Sequence, residues 1–377
     1  MAAVLRSGII GTGFMGEVHA HAVRAAGGTL SAVAGRTTQS AERAAAMLGA
    51  AHSAASPEDL IDRDDVDVVH ICSPNTTHAE YAERALAAGK AVVCEKPLAT
   101  SVEDAAQLAD LAHRHGSVTS VPFVYRFYPA VREARSLVRR GDPGRLWLLH
   151  GSYLQDWLAS PQTTNWRVDP ARGGASRAFG DIGVHWCDLM EFVTGQRITR
   201  LVASTSQAFA ERLGDRGSSP VATEDGATVL FETDQGATGS VVVSQVTPGR
   251  KNRLWFSFDG TDASLSFDQE QPDTLWVGRT AASTRVAAGR DTLTTEAGRR
   301  YARLPAGHPQ GYQDSFNAFV ADVYDAVRGN APDGLPTFAD GLRAARLTQA
   351  IITSAQSGGW VATPLQDEPA RRAHTTI

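Results

Sequence analysis

The sequence predicts an α/β chain in two parts: a doubly wound parallel sheet, followed by an α+β unit with a large, mostly antiparallel sheet. Three observations carry this. Strand-like and helix-like runs alternate through residues 8–122, the pattern of repeated βα units with right-handed crossovers. Between the first strand and the first helix stands Gly11-Thr12-Gly13-Phe14-Met15-Gly16. Beyond residue 123 most runs become strand-like and are separated by Gly, Asp and Thr, as in antiparallel hairpins. At 377 residues the chain exceeds an average domain, and the expected division is 1–123, 124–366 and a polar tail at 367–377.

Composition narrows the function classes. A net charge of −5 provides no basic field for a phosphate backbone, so nucleic acid is not the expected partner. Cys72, Cys94 and Cys187 are odd in number and lie in apolar stretches. They read as reduced core thiols of a cytoplasmic protein, and no Cys/His spacing suggests a metal. The N-terminus passes through Leu5 and Arg6 directly into a strand, leaving no room for a signal peptide, and no apolar run is long enough to span a membrane.

In the first part, residues 8–10 form a strand and 18–26 a helical pattern. Gly11 permits a tight turn, Gly13 lets a pyrophosphate approach the backbone, and Gly16 lets helix and strand pack closely. Phe14 and Met15 open the helix, whose N-terminal N–H groups and dipole favour an anion. This is the Rossmann pattern for a dinucleotide. The second strand, 30–34, ends at Gly35-Arg36-Thr37, about twenty residues past the last glycine, where an NAD enzyme places a carboxylate on the ribose. Arg36 stands there instead, which admits a 2′-phosphate and leans towards NADP; stacking on adenine is the alternative.

Helix 40–48, strand 66–72, helix 77–88, strand 91–94, helix 102–115 and strand 118–122 follow. Ser73-Pro74-Asn75 and His78 come after a strand, so they share the carboxyl edge with the first glycines. Residues 91–94 are an apolar run that ends in Glu95-Lys96-Pro97. A charged pair at the carboxyl end of a buried strand faces the ligand crevice, although many lysines at strand exits are merely solvated.

The second part opens with an amphipathic helix over 129–140 and a β segment over 146–153. Strands over 221–231, 237–246, 252–260 and 263–268 are joined by turns at 233–236 and 259–261. Closing helices span 312–328 and 338–355. A helix over 179–193 would set Asp181 and His185 four residues apart on one face. A carboxylate beside an imidazole favours its protonated form and fixes its orientation.

Together, the glycine motif, Glu95-Lys96-Pro97 and Gly180-Asp181-Ile182-Gly183-Val184-His185 resemble the Gfo/Idh/MocA oxidoreductases, the glucose–fructose oxidoreductase and inositol dehydrogenase family. The resemblance covers nearly the whole chain. It implies that Gly11, Gly13, Phe14, Met15, Gly16 and Arg36 contact the pyrophosphate and ribose side of NAD(P)(H), with Ser73, Pro74, Asn75, His78, Glu95 and Lys96 nearer nicotinamide. It implies Lys96, Asp181 and His185 as catalytic residues, and an open sheet used for homo-oligomerisation as dimer or tetramer. The family's Phe-Asn-x-Arg stands here as Phe123-Val124-Tyr125-Arg126, where Val124 lacks the amide and Arg126 is expected at the substrate.

A narrower likeness is to the levoglucosan dehydrogenase-like sugar dehydrogenases, through Tyr153, Gln155, Asp156 and Trp157 followed by Asn165, Trp166 and Arg167. Trp157 and Trp166 offer faces for a sugar ring; Gln155, Asp156 and Arg167 offer directional hydrogen bonds to hydroxyls. Core packing is the alternative for either tryptophan. The expected function is reversible oxidation of a secondary hydroxyl of a pyranose, glycoside, anhydrosugar or cyclitol. His185, with an ordinary pKa of about 6.5, is the expected proton acceptor, Asp181 its orienter and Lys96 the hydroxyl clamp; exchange of the His185 and Lys96 roles stays open. The alternatives are an NAD-dependent glycosidase acting through transient oxidation and a non-catalytic dinucleotide-binding regulator.

Overall fold

In the computed structural model, residues 3–163, 165–214 and 217–364 are described. The expected tail at 367–377 lies outside them. Six strands, β1 (Arg6–Ile10), β2 (Thr29–Ala34), β3 (His52–Ser53), β4 (Val68–Ile71), β5 (Ala91–Cys94) and β6 (Thr119–Ser120), form one sheet in the order β3-β2-β1-β4-β5-β6. All its pairings are parallel. The interleaved helices are α1 (Phe14–Ala25), α2 (Thr38–Leu48), α3 (Pro57–Ile61), α4 (His78–Ala87) and α5 (Val102–His115). Local chemistry sets their ends: Thr37 and Ser40 form a capping box on α2, while Ser101 caps α5 and Gly116 ends it in the left-handed region.

The second half contains α6 (Pro129–Arg139), β7 (Leu146–Leu154), α7 (Pro170–Gly173), α8 (Val184–Thr194), β8 (Ile198–Ser206), β9 (Glu211–Gly214), β10 (Gly217–Pro220), β11 (Gly226–Thr233), β12 (Thr238–Ser244), β13 (Arg253–Gly260), β14 (Ser264–Asp268), β15 (Thr274–Gly278), β16 (Ser283–Ala287), α9 (Glu296–Tyr301), α10 (Tyr312–Val327), α11 (Phe338–Ser357) and β17 (Val361–Ala362). Nine strands form a sheet in the order β16-β15-β14-β13-β7-β12-β11-β8-β17. Only β7 with β12 is parallel; the other pairings in this sheet are antiparallel.

Period-two alternation sends Val229, Phe231, Val241, Val243, Leu254, Phe256 and Phe258 into the core. Helices α6, α8 and α11 pack on that side. Helix α10 turns back across the expected boundary at residue 123 and packs on α1.

The expected helix over 179–193 is corrected at its start. Phe179–Gly183 forms a wider π-helical turn, closed by Val184 N–H on the Phe179 carbonyl, before α8 begins. Gly183 permits it, since a Cβ there would lie 2.4 Å from the Phe179 ring. Among the described residues no helix is long and apolar enough to cross a membrane.

Candidate active site

A cavity of about 1040 Å³ lies between the carboxyl edge of the parallel sheet and the second half of the chain. Its first wall begins at the glycine loop. Gly11 has φ +108°, and a Cβ there would lie 2.5 Å from the Cys72 carbonyl; at Gly16 it would lie 2.3 Å from the Gly11 carbonyl. At Gly13 a Cβ would meet nothing within 4 Å, so this glycine faces open space. Helix α1 has no side-chain cap, which leaves its first N–H groups for an anion. These features fit a dinucleotide pyrophosphate. Phe14, Met15 and Arg36 also line the cavity, whereas Gly16 is not among its lining residues and gives helix and loop their close packing.

Further along this wall are Ser73, Pro74, Asn75, His78, Glu95 and Lys96. Ser73 Oγ bonds Thr77 Oγ1 at 2.7 Å, and Asn75 Nδ2 donates to the Gly173 carbonyl at 2.9 Å, joining the two halves of the chain. His78 is a loop tie: its Nδ1 lies 2.7 Å from the Pro97 carbonyl and its Nε2 2.9 Å from that of Ser73. The Lys96–Pro97 peptide is cis.

Lys96 Nζ donates to the Asp181 carbonyl at 3.0 Å and to Asp181 Oδ1. Asp181 Oδ2 accepts from Gln245 Nε2 at 2.7 Å, and Arg167 Nε lies 3.4 Å from Oδ1. Burial pushes the Asp181 carboxyl up, but the charges of Lys96 and Arg167 override it and hold the group well below its ordinary range. Asp181 therefore orients Lys96. The expected Asp181 to His185 pairing is corrected, because no hydrogen bond joins them and the carboxylate is taken by the three residues just named.

His185 sits edge-on to Phe123 and Tyr125, at ring-centroid distances of 5.6 Å and 5.2 Å. Its Nδ1 is buried without a hydrogen-bond partner while the ring lines the cavity. Burial and the Lys96 charge press its pKa down to about 3, against the opposing pull of Asp181 and Glu95. The expectation of a favoured imidazolium is corrected accordingly: the ring is neutral at physiological pH.

The opposite wall carries Tyr153, Gln155, Trp157, Trp166 and Arg167. Tyr153 Oη and Gln155 Nε2 both donate to Asn252 Oδ1 at 2.7 Å, and Trp157 Nε1 donates to Gln155 Oε1 at 2.8 Å. The Arg167 guanidinium lies 4.4 Å above the Trp166 ring. Two expected substrate contacts are corrected. Arg126 does not line the cavity; it is buried in ion pairs with Asp188 and Asp340, 2.8 Å from the latter. Asp156 also lies off the cavity, accepting from Lys251 Nζ at 2.7 Å and Gly249 N–H at 3.1 Å.

Several residues were not singled out from the sequence. Tyr125, Asn165, Asn252, Tyr312 and Phe316 line the cavity, and Gln245 reaches Asp181 from the end of β12. Tyr125 and Asn165 fall inside quoted motifs, but Asn252 and Gln245 mark only strand ends. Among the described residues no group of three or more His, Cys, Asp or Glu is placed to hold a metal ion.

A parallel six-stranded sheet with a glycine cradle, opening onto a Lys–Asp–His cluster, defines a dinucleotide-dependent oxidoreductase. The chain belongs to the Gfo/Idh/MocA oxidoreductase family: residues 5–123 match the oxidoreductase family with an NAD-binding Rossmann fold, and residues 131–266 match the GFO/IDH/MocA C-terminal domain. It is 32% identical to levoglucosan dehydrogenase of Pseudarthrobacter phenanthrenivorans, over 96% of this chain and 98% of that protein. It is 27% identical to inositol 2-dehydrogenase 3 of Saccharopolyspora erythraea, over 97% of each. The solved structure of levoglucosan dehydrogenase in complex with NADH and levoglucosan superposes with a TM-score of 0.90 at 31% identity, covering 96% of this chain and 100% of that one.

Proposed function

We propose that this protein is an NAD(P)-dependent dehydrogenase that reversibly oxidises a secondary hydroxyl of a pyranose sugar, anhydrosugar or cyclitol. One observation carries the reading: Lys96, Asp181 and His185 converge on a cavity whose far wall is lined by Trp157, Trp166, Gln155 and Asn252. That mixture of apolar faces and fixed polar handles suits a ring bearing several hydroxyls. The sugar and cyclitol dehydrogenases among the relatives support the same class.

When bound, nicotinamide supplies the acceptor for the hydride that leaves the carbinol carbon. Lys96 Nζ, held by Asp181, clamps the hydroxyl oxygen and stabilises negative charge developing on it. His185 takes the hydroxyl proton on Nε2, since Nδ1 is buried without a partner. Asp181 offsets the positive charge that this transfer adds beside Lys96. Both cofactors are accommodated, with a lean to NADP supported by Arg36, an exposed cation at the cavity edge.

The test is a panel of pyranoses, anhydrosugars and cyclitols with NAD and NADP, read by accumulation of reduced nicotinamide. Steady accumulation with at least one ring hydroxyl is expected. Release of a free sugar without net cofactor reduction would make the protein a glycosidase, and dinucleotide binding without turnover across the panel would make it a regulator.

A further inference from the structure

Five side chains form one hydrogen-bonded line along one face of the parallel sheet, under α1 and α10, and the chemistry above uses none of its interior. Glu95 Oε1 lies 3.1 Å from His19 Nε2, and His19 Nδ1 lies 2.9 Å from His70 Nδ1. His70 Nε2 lies 3.3 Å from Ser7 Oγ, which is 2.7 Å from Tyr324 Oη. Ser7, His19, His70 and Tyr324 are wholly buried, and Glu95 is 7% exposed. Two histidines buried between the sheet and its helices, His70 on β4 and His19 on α1, are costly unless each ring nitrogen is paired.

That pairing fixes a direction. A carboxylate can only accept, so His19 donates to Glu95 from Nε2, and the second oxygen of Glu95 accepts the Lys96 N–H at 3.2 Å. A neutral His19 then accepts at Nδ1 from His70 Nδ1–H. His70 Nε2 accepts the Ser7 O–H, and Ser7 Oγ accepts the Tyr324 O–H. Every polar hydrogen in the line is used once. The reverse polarity would strand the Tyr324 O–H, which has no acceptor other than Ser7 Oγ among the described residues. Burial raises the Tyr324 hydroxyl to about 12, so the far end of the line keeps its proton as the donor to Ser7.

We propose that Ser7, His70 and His19 are positioning residues: Ser7 and His70 keep His19 Nδ1 an acceptor, so that His19 donates from Nε2 and holds Glu95 as an oriented anion behind Lys96. Glu95 in turn holds the main-chain N–H of Lys96 where β5 ends and its side chain leaves for Asp181. The line also joins the seating of α10 to this carboxylate. Tyr324 lies on α10, as does Phe316, whose ring packs 5.1 Å from that of His19.

The kinetic part of the test rests on the dehydrogenase reading; the spectroscopic part does not. In ¹⁵N spectra of the histidine-labelled full chain, His19 should carry its proton on Nε2 alone and His70 on Nδ1 alone. An imidazolium at either residue, or the opposite tautomers, would overturn the proposal. His70→Asn keeps an N–H near the Nδ1 position, whereas His70→Leu removes it. The Leu variant should lose between about tenfold and a hundredfold in kcat, and the Asn variant should recover to within about threefold of the parent, with NADH affinity unchanged in both. Equal losses in the two would mean that His70 acts only by filling space.

Should His70→Leu fail to fold, Ser7→Ala gives the same decision. Removal of its O–H leaves His19 Nδ1 as the acceptor, so His70 should stay protonated on Nδ1 while kcat falls by less than about tenfold, the smallest loss expected of His70→Leu, and a tautomer moved to Nε2 overturns the proposal. A parent protein that oxidises no sugar or cyclitol would sink the functional reading, while the tautomer result would still decide this one.

Discussion

At the scale of single residues, Lys96 is the group whose removal separates chemistry from cofactor binding. Lys96→Ala should reduce turnover by at least about a hundredfold, the usual scale for a positioned acid–base group, while dinucleotide affinity measured by titration stays nearly intact. His185→Ala should lose a comparable factor. The pH dependence follows from the buried imidazole. A proton acceptor must be neutral, and with its pKa near 3 His185 is neutral above that value and charged only below it. Its contribution to oxidation should therefore be flat from about pH 5 to 9 and fall as pH drops through about 3. A limb near pH 6 to 7 that disappears in His185→Ala would show an ordinary imidazole instead.

The three catalytic candidates were legible in the sequence because each sits at a punctuated motif. Their partnerships were not, since Lys96 reaches Asp181 across 85 positions and Gln245 reaches it across 64. Arg36→Asp tests the cofactor lean. Charge-assisted hydrogen bonds to a 2′-phosphate are worth about 1.5–3 kcal/mol, so the ratio of NADP to NAD dissociation constants should rise at least about tenfold. Equal weakening of both cofactors would make Arg36 an adenine-stacking residue.

At the scale of elements, sequence reading succeeded where a run was unbroken in character and its ends were chemically marked. The expected strand over 91–94 and helix over 102–115 match β5 and α5, the latter bounded by Ser101 and Gly116. Strand β3 and helix α3 are two and five residues long, too short for a period to show. Arg126 was misread for a related reason: a motif position specifies a residue type but not where its side chain is spent. Its guanidinium joins the turn at Val124–Phe127 to α8 through Asp188 and to α11 through Asp340. Arg126→Met would leave the Asp188 and Asp340 carboxylates, 7% and 19% exposed, without their shared cation, a loss of up to about 3–5 kcal/mol, the scale for a broken buried pair. The denaturation midpoint should fall accordingly while KM for the substrate in the folded variant stays near the parent value. A raised KM with unchanged stability would return Arg126 to the substrate.

At the scale of the whole molecule, α6, α8 and α11 pack on one face of the nine-stranded sheet among the described residues, and the alternate residues point away from them. Leu230 on β11 and Val242 on β12 share that outer face and are 51% and 43% exposed, whereas Val229 and Val241 between them are buried. Family resemblance makes such a face the expected site of self-association, and the apolar pair gives it a centre that can be tested. Covering a leucine or valine side chain contributes about 1.5–3 kcal/mol, and a two-fold interface uses each residue twice, so a small change is amplified. Light scattering should find the parent as a dimer or tetramer and Leu230→Lys with Val242→Lys as a monomer, because four buried ammonium groups would replace apolar contacts across one dimer interface. NADH affinity should be unchanged in the double variant, whose substitutions lie away from the cavity lining. A parent that is already monomeric, or a double variant that keeps its mass, would mean that this face does not join the copies.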